Sequence, residues 1–433
     1  MTGRSKARRK TPMQAAPKRA MALEAPARRV ARATRNGADR NAETRRSPAE
    51  LARDYETVAL ALQGGGALGA YQAGVYEGLA EAGIEPDTLS GISIGAINLA
   101  LIAGNAPKDR VAKLRGFWEW ISEPALLPRL VDWQWLAEFV PVELQARRFA
   151  NVAAAMRASF EGQRGFFEPR PLSAWVDLLN DGRRPTGYYD TRPLAATLER
   201  FVDFDRLNDG ALRLSVGAVN VRSGNFVFFE NRQRRLGPEH IMASGALPPG
   251  FPPVEIEGEF YWDGGIVSNT PLGQLLCAEP RRDTLAIQVD LWSARGEMPT
   301  NLLDVLERQK EILYSSRTRA VTTRVVEEQK LRRSIAELLA LLPKSRQAGA
   351  AVERARRQAT RKVVNVLHLI YQGKHHEIES KDYAFGPTSV REHWAAGLAD
   401  MRRTLADPRR LMKPATEAGI VTHDIHRDAA ERG

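Results

Sequence analysis

Apolar residues fall along this chain in short runs punctuated by glycine and proline, and the runs alternate between two periods. Residues 57–62 are almost continuously apolar and stop at a glycine cluster, the pattern of a strand buried on both faces. Residues 71–82 repeat at helical spacing, with Tyr71, Val75, Leu79 and Ala82 on one side and Gly83 as a C-terminal stop. A short run at 87–89 and an apolar helical run at 96–103 follow. Strand, helix, strand and helix in close succession predict a βαβα unit, hence a parallel sheet with covering helices.

Further on, residues 212–221 and 225–229 read as strands joined by a turn at 222–224. Residues 238–245 read as a short helix and 248–253 as a stiff, proline-rich connector. Residues 260–262 form a short strand, 269–272 open a helix, and 284–291 form another apolar strand. Residues 301–361 carry a long helical pattern rich in Arg and Glu, interrupted at Pro343 and Gly349. A strand at 363–371 and a helix at 387–405 come next, and the last 25 or so residues read as frayed. Residues 107–185 read as helix and loop, with Trp118, Trp120, Trp133 and Trp135 around Pro124 and Pro128. Such rings either form a lid or patch at a water–lipid boundary or pack onto the core. The expected organisation is a tail at 1–53, an α/β domain at 57–290, a helical region at 300–405 and a second tail at 407–433.

Charge changes the picture at one end only. Of a net charge of +11 over 433 residues, residues 1–50 hold +10, with fourteen Lys and Arg against four Asp and Glu. The rest is nearly neutral. Rich in Ala, Arg and Pro, this tail is expected to be disordered. A solvated extension, attachment to anionic lipid headgroups and nucleic-acid contact compete as its role. Nucleic acid is not expected as a partner, because no aromatic residue interleaves the arginines to stack on bases. A single cysteine, Cys277, rules out an internal disulfide and fits a reducing compartment. No apolar run approaches the length of a membrane span, and no apolar leader is visible. A cytoplasmic protein, with peripheral membrane contact through the tail, is the expectation. No metal-ligand cluster is visible; His375-His376 reads as a solvated loop.

Three segments carry candidate chemistry. Gly91-Ile92-Ser93-Ile94-Gly95 is a G-x-S-x-G pentapeptide between a strand and a helix, the setting of a nucleophile elbow. A side chain at Gly91 or Gly95 would collide with the neighbouring strand or helix. Gly64-Gly65-Gly66-Ala67-Leu68-Gly69 follows a strand and opens a helix. That spacing also satisfies the G-x-G-x-x-G dinucleotide fingerprint, which wants an acidic residue at the end of the second strand. Asp87 precedes that strand instead, so an oxyanion hole is the better reading, with the backbone N–H groups of Gly65 and Gly66 as donors. Asp263-Gly264-Gly265 ends a strand with a carboxylate that can be held rigidly and approached closely. A serine nucleophile needs a proton acceptor. His240, on a short helix, is one option; Asp263 acting directly, its proton affinity raised by desolvation, is the more economical one. An Asp-Gly hairpin turn remains the structural alternative for Asp263.

In their order and with their flanks, 243–253 and 269–272, these three segments resemble the patatin-like phospholipase family over about residues 57–290. The region from about 300 on is similar to the extra C-terminal region of a bacterial subgroup. The resemblance implies a three-layer α/β/α fold with a mostly parallel central sheet, plus a largely helical C-terminal extension. It implies a Ser–Asp dyad without histidine, with Ser93 as nucleophile and Asp263 as general base. It places the oxyanion hole at Gly64, Gly65 and Gly66, with Gly69, Gly91, Gly95, Gly264 and Gly265 as motif glycines. Lipid ester is the implied substrate, with no cofactor and no metal; a catalytically inactive, membrane-associated scaffold of the same fold is the alternative. Neither motif nor resemblance specifies an oligomeric state. One departure is Leu68, where many members carry Arg or Lys; no positive charge stands in the glycine loop to meet a phosphate.

Overall fold

A computed structural model describes residues 46–123, 161–170, 186–373, 381–416 and 418–426. Its frame is a nine-stranded sheet. In chain order the strands are β1 (Thr57–Leu62) and β2 (Thr88–Ile92), then β3 (Glu168–Pro169) and β4 (Tyr189–Asp190), which pair only with each other. β5 (Arg213–Asn220), β6 (Phe226–Glu230), β7 (Val254–Ile256), β8 (Glu259–Asp263), β9 (Thr284–Asp290), β10 (Val364–Ile370) and β11 (Ile420–Asp424) follow. The spatial order is β11-β10-β9-β1-β2-β5-β8-β7, with β6 also on β5. From β11 to β5 every pairing is parallel; β6, β7 and β8 are antiparallel.

The continuous apolar runs β1 and β9 are buried along their whole length, because helices cover both faces of the parallel part. β2 runs on through Gly91 and Ile92, further than its apolar run predicts, because β1 and β5 pair with it on both sides as far as Gly91 and Ile92 respectively. β5 has a feature of its own. Its residues up to Gly217 pair with β2, and from Ala218 on the same edge pairs with β8, while β6 takes the opposite edge.

Beyond residue 300 the helices fall where the periodicity puts them, at Leu302–Leu341, Ala350–Gln358 and Pro387–Leu405. Two of the sequence expectations need correction. The C-terminal tail is not frayed throughout: β11 pairs in parallel with β10 over five residues. Nor is the N-terminal tail unstructured as far as residue 53, since Pro48–Ala52 is a helix that buries Leu51 and Ala52. Ser47 caps it, its Oγ accepting from the Glu50 N–H while the Glu50 carboxylate accepts from the Ser47 N–H at 2.7 Å. Both segments are short; the helix carries a local start signal in Ser47 and Glu50, whereas β11 is fixed by pairing with β10. Trp118 is buried and donates to the Asn98 side chain at 3.1 Å; Trp120 is sandwiched between the guanidinium groups of Arg164 and Arg200. The ring at 118 therefore packs onto the core; Trp133 and Trp135 lie outside the described residues.

The helix Gly69–Glu81 packs directly on Pro387–Leu405, backbone to backbone. A Cβ at Gly74 would stand 2.0 Å from the Trp394 carbonyl oxygen, and one at Gly397 2.0 Å from that of Tyr71. Because backbone blocks the space, Gly397→Leu forces the two helices apart. It is expected to lower the unfolding free energy by about 3 kcal/mol, read from chemical denaturation; a change within error would mean that the helices are not in this contact.

Candidate active site

β2 ends at Ile92, and the chain turns at once into the helix Ile94–Ala103. Ser93 makes the turn with φ 57° and ψ −125°, one of two non-glycine residues of positive φ among the described residues. The cost of that conformation, about 1–3 kcal/mol, needs local support. The Ser93 N–H donates to Ser244 Oγ at 2.9 Å, and Ser244 Oγ donates to the Gly217 carbonyl at 2.6 Å, so the elbow is tied to β5. The two glycines of the pentapeptide are needed for space. A Cβ at Gly91 would lie 2.4 Å from the Gly95 carbonyl oxygen, and one at Gly95 2.3 Å from that of Leu62.

The partner switch of β5 brings the next residue in. Ile92 is level with Gly217, and Asp263 is level with Ala218, so Ser93 and Asp263 leave adjacent rungs of one edge. The Asp263 carboxylate accepts from the Gly265 N–H at 2.7 Å and stands close enough to the Ser93 side chain for the hydroxyl to favour its charged form. Burial pushes its pKa up to about 6, while Ser93 and the bond from Gly265 pull the other way. Gly264 fits beneath because a Cβ there would meet the Gly217 carbonyl at 2.7 Å.

The glycine loop is held by residues that the motif alone does not single out. The Asn269 side chain accepts from the Gly64 N–H at 3.1 Å and donates to the Gly64 carbonyl at 2.9 Å, and Trp292 Nε1 donates to the same carbonyl. Gly64 therefore corrects the sequence expectation: its N–H is already committed to Asn269, and its part is to anchor the loop beside Ser93. Gly65 and Gly66 line the cleft with Ser93 and Asp263, as does Ile94 at the helix start. Gly66 has φ 56° and lies against the Asp382 backbone. Leu68 is fully buried, so the loop itself presents only backbone to the cleft.

His240 is not brought to this site. It is buried, its Nδ1 accepts from the Gly237 N–H at 3.0 Å, and its ring packs edge-on against Phe229. Burial lowers its pKa. No histidine is among the residues lining the cleft; His375 and His376 lie outside the described residues. Asp87 stands at the far end of β1 and β2, where its carboxylate accepts from the Val58 N–H at 2.9 Å, so the dinucleotide reading loses its acidic residue. Among the described residues no helix is long and apolar enough to cross a membrane.

The rest of the cleft comes from three sources. Phe166, Phe167, Leu247 and Phe251 supply an apolar wall, Trp292 follows β9, and Lys310, Tyr314, Asp382, Tyr383 and Phe385 belong to the C-terminal region. None of these was legible as a site residue; they lack a motif and meet only in the fold. Ser244 and Asn269 lie in the flanking segments noted in the sequence, which was the available signal for them.

Residues 60–276 match the family described as patatin-like phospholipase, and residues 312–417 match a second description, DUF3734, patatin phospholipase. No curated protein matches the sequence. Among solved structures the chain is similar to VipD from Legionella pneumophila, at 13% identity over 86% of this chain and 72% of that one, with a TM-score of 0.36. It is also similar to the type III effector ExoU, at 16% identity over 82% of this chain and 53% of that one, TM-score 0.27. A third is the complex of SpcU with ExoU from the type III secretion system of Pseudomonas aeruginosa, at 17% identity over 70% and 67%, TM-score 0.23. With its first family match covering half of its residues and the second most of the C-terminal region, the chain belongs to the patatin-like phospholipase family.

Proposed function

We propose that this protein is a serine acyl hydrolase of lipid esters that works through a Ser93–Asp263 dyad. Members of its family are typically lipid acyl hydrolases. The observation that carries the reading is that Ser93, partly exposed on a strained turn, and the buried carboxylate of Asp263 line one cleft side by side. Ser93 Oγ attacks the acyl carbonyl and Asp263 takes its proton. The carbonyl oxygen, now negative, sits among the N–H groups of Gly65 and Gly66; one such donor is worth about 3 kcal/mol in enzymes of this kind. Asp263 passes the proton to the departing alcohol, then takes one from the water that cleaves the acyl-enzyme. The phenylalanine wall suits an acyl chain. The inactive-scaffold alternative called for a collapsed pocket at Ser93, whereas Ser93 lines a cleft. Contact of the basic tail with anionic headgroups belongs to the same proposal.

A fluorophosphonate probe is expected to label wild type and not Ser93→Ala, with Asp263→Asn labelled far more slowly. Hydrolysis of a p-nitrophenyl ester should fall by at least about a thousandfold in Ser93→Ala. Equal labelling of the Ser93 variant would sink the assignment. The base must be ionised to act, so kcat/KM should rise with unit slope through the Asp263 pKa of about 6 and level off above it. A midpoint near an ordinary carboxylate value, or a flat profile from pH 5 to 8, contradicts Asp263 as base.

The same pKa has a stability counterpart of opposite sense. The folded-state value lies above the unfolded one, so between the two the folded state holds the extra proton, and stability falls as pH rises through that window. Above about pH 6 the buried carboxylate costs the fold about 3 kcal/mol. Asp263→Asn should therefore unfold at higher denaturant than wild type at pH 8 and at an equal concentration at pH 4. An unaltered difference between the two pH values would rule out the burial argument.

A further inference from the structure

The cleft carries two chemistries. Its phenylalanine wall is apolar, but the C-terminal region adds an ion pair, Lys310 with Asp382, within a set of aromatic rings. Trp292 and Tyr314 stack with centroids 5.1 Å apart, and Lys310 Nζ lies 5.4 Å from the Trp292 ring and 5.6 Å from that of Tyr383. Lys310 is the one cation among the lining residues, and Asp382 joins Asp263 as the second carboxylate. Asp382 is held next to the oxyanion loop, its carbonyl against Gly66. The neighbouring Lys381 fixes it there through Glu307 at 2.9 Å and Glu311 at 2.6 Å, both on the helix that carries Lys310.

Two facts distinguish this pair from a purely structural one. The Asp382 side chain is nine-tenths buried, yet among the described residues its Oδ1 has no hydrogen-bond partner while Oδ2 takes Lys310. Such an acceptor normally finds a donor, and its absence costs free energy. Lys310, in contrast, keeps 28% of its side chain exposed and can turn to a second anion. Resting on the acyl-hydrolase reading above, we propose that Lys310 and Asp382 form a headgroup subsite for a zwitterionic phospholipid with a primary ammonium, Lys310 taking the phosphate and Asp382 the ammonium. The exchange keeps charge balanced, since one neutral pair opens and two form. A purely anionic headgroup would take Lys310 and strand the Asp382 carboxylate, which is unfavourable in a mostly buried site. A quaternary ammonium brings charge but no N–H for Oδ1. A neutral glyceride offers neither group. The charge absent from the glycine loop at Leu68 is thus supplied from the other side of the cleft.

The test uses the full-length protein and mixed micelles of phosphatidylethanolamine, phosphatidylcholine, phosphatidylglycerol or diacylglycerol with identical acyl chains, with fatty-acid release as readout. Wild type is expected to prefer phosphatidylethanolamine about tenfold or more over each of the others. The ratio of phosphatidylethanolamine to p-nitrophenyl butyrate hydrolysis should drop about tenfold in Asp382→Asn and in Lys310→Gln. Loss of packing alone lowers both rates together and leaves the ratio in place. The double variant Lys310→Asp/Asp382→Lys keeps an ion pair in place of the native one and is expected to lose the preference all the same. Equal wild-type rates on phosphatidylethanolamine and phosphatidylglycerol, or a preserved ratio in the variants, overturn the proposal. Probe labelling at Ser93 separates this from failure of the acyl-hydrolase reading. If wild type does not label, calorimetric titration of glycerophosphoethanolamine into Ser93→Ala decides the subsite, and absence of binding that is weakened by Asp382→Asn overturns it.

Discussion

The site rests on one event in the sheet, the point at which the edge of β5 passes from β2 to β8. Parallel pairing ends at Ile92 and Gly217, and antiparallel pairing begins at Ala218 and Asp263. A serine released from one rung and a carboxylate from the next are adjacent by construction. Because successive residues of a strand are about 3.3 Å apart and point to opposite faces, a one-residue slip of β2 or β8 would part Ser93 from Asp263. The small residues around the switch follow from this. Gly91, Gly95, Gly217 and Gly264 stand where strands, elbow and turn approach closer than a Cβ allows.

The fold holds two unfavourable local states at this point, a serine at positive φ and a buried carboxylate. Each is held by bonds that lead back to the sheet. Ser244 connects the elbow to β5, and Gly265 satisfies one oxygen of Asp263. Asn269, six residues after Asp263, bonds both the N–H and the carbonyl of Gly64, so the segment that follows Asp263 holds the glycine loop in place. Local strain of this kind persists only where the surroundings overdetermine it. Here it leaves Ser93 in the cleft beside Asp263, whose proton affinity is raised by burial.

How much could be read in advance depended on how local the signal was. The elbow, the glycine loop and Asp263 were legible because each combines a glycine pattern with a strand end, and backbone geometry near glycine is a local matter. The long helices of the C-terminal region were legible from period alone. β7 and β11 were not, since each is short and defined by what it pairs with, and the helix Pro48–Ala52 was overlooked within a basic tail although Ser47 and Glu50 form a capping box at its start. Within the site, the misjudged residue was Gly64: the pattern shows a donor in the loop but cannot show that Asn269, more than two hundred positions away, has taken it. Lys310 and Asp382 were invisible for a related reason, as they have no motif and their significance is purely spatial.

The cleft is built from both halves of the chain, and a ribosome delivers those halves in order. Ser93, Asp263 and the glycine loop have all been synthesised once Gly265 is in place. Of the walls, Lys310 and Tyr314 arrive about 45 to 50 residues later, and Asp382, Tyr383 and Phe385 some 120 residues later. At about 5–20 residues per second, that interval lasts roughly 6 to 24 seconds. Helix Pro387–Leu405, which clamps the glycine-loop helix through Gly74 and Gly397, comes later still. A nascent chain thus carries Ser93 and Asp263 before it has the residues that wall the cleft around them, and the cleft is complete only once the C-terminal region has been made.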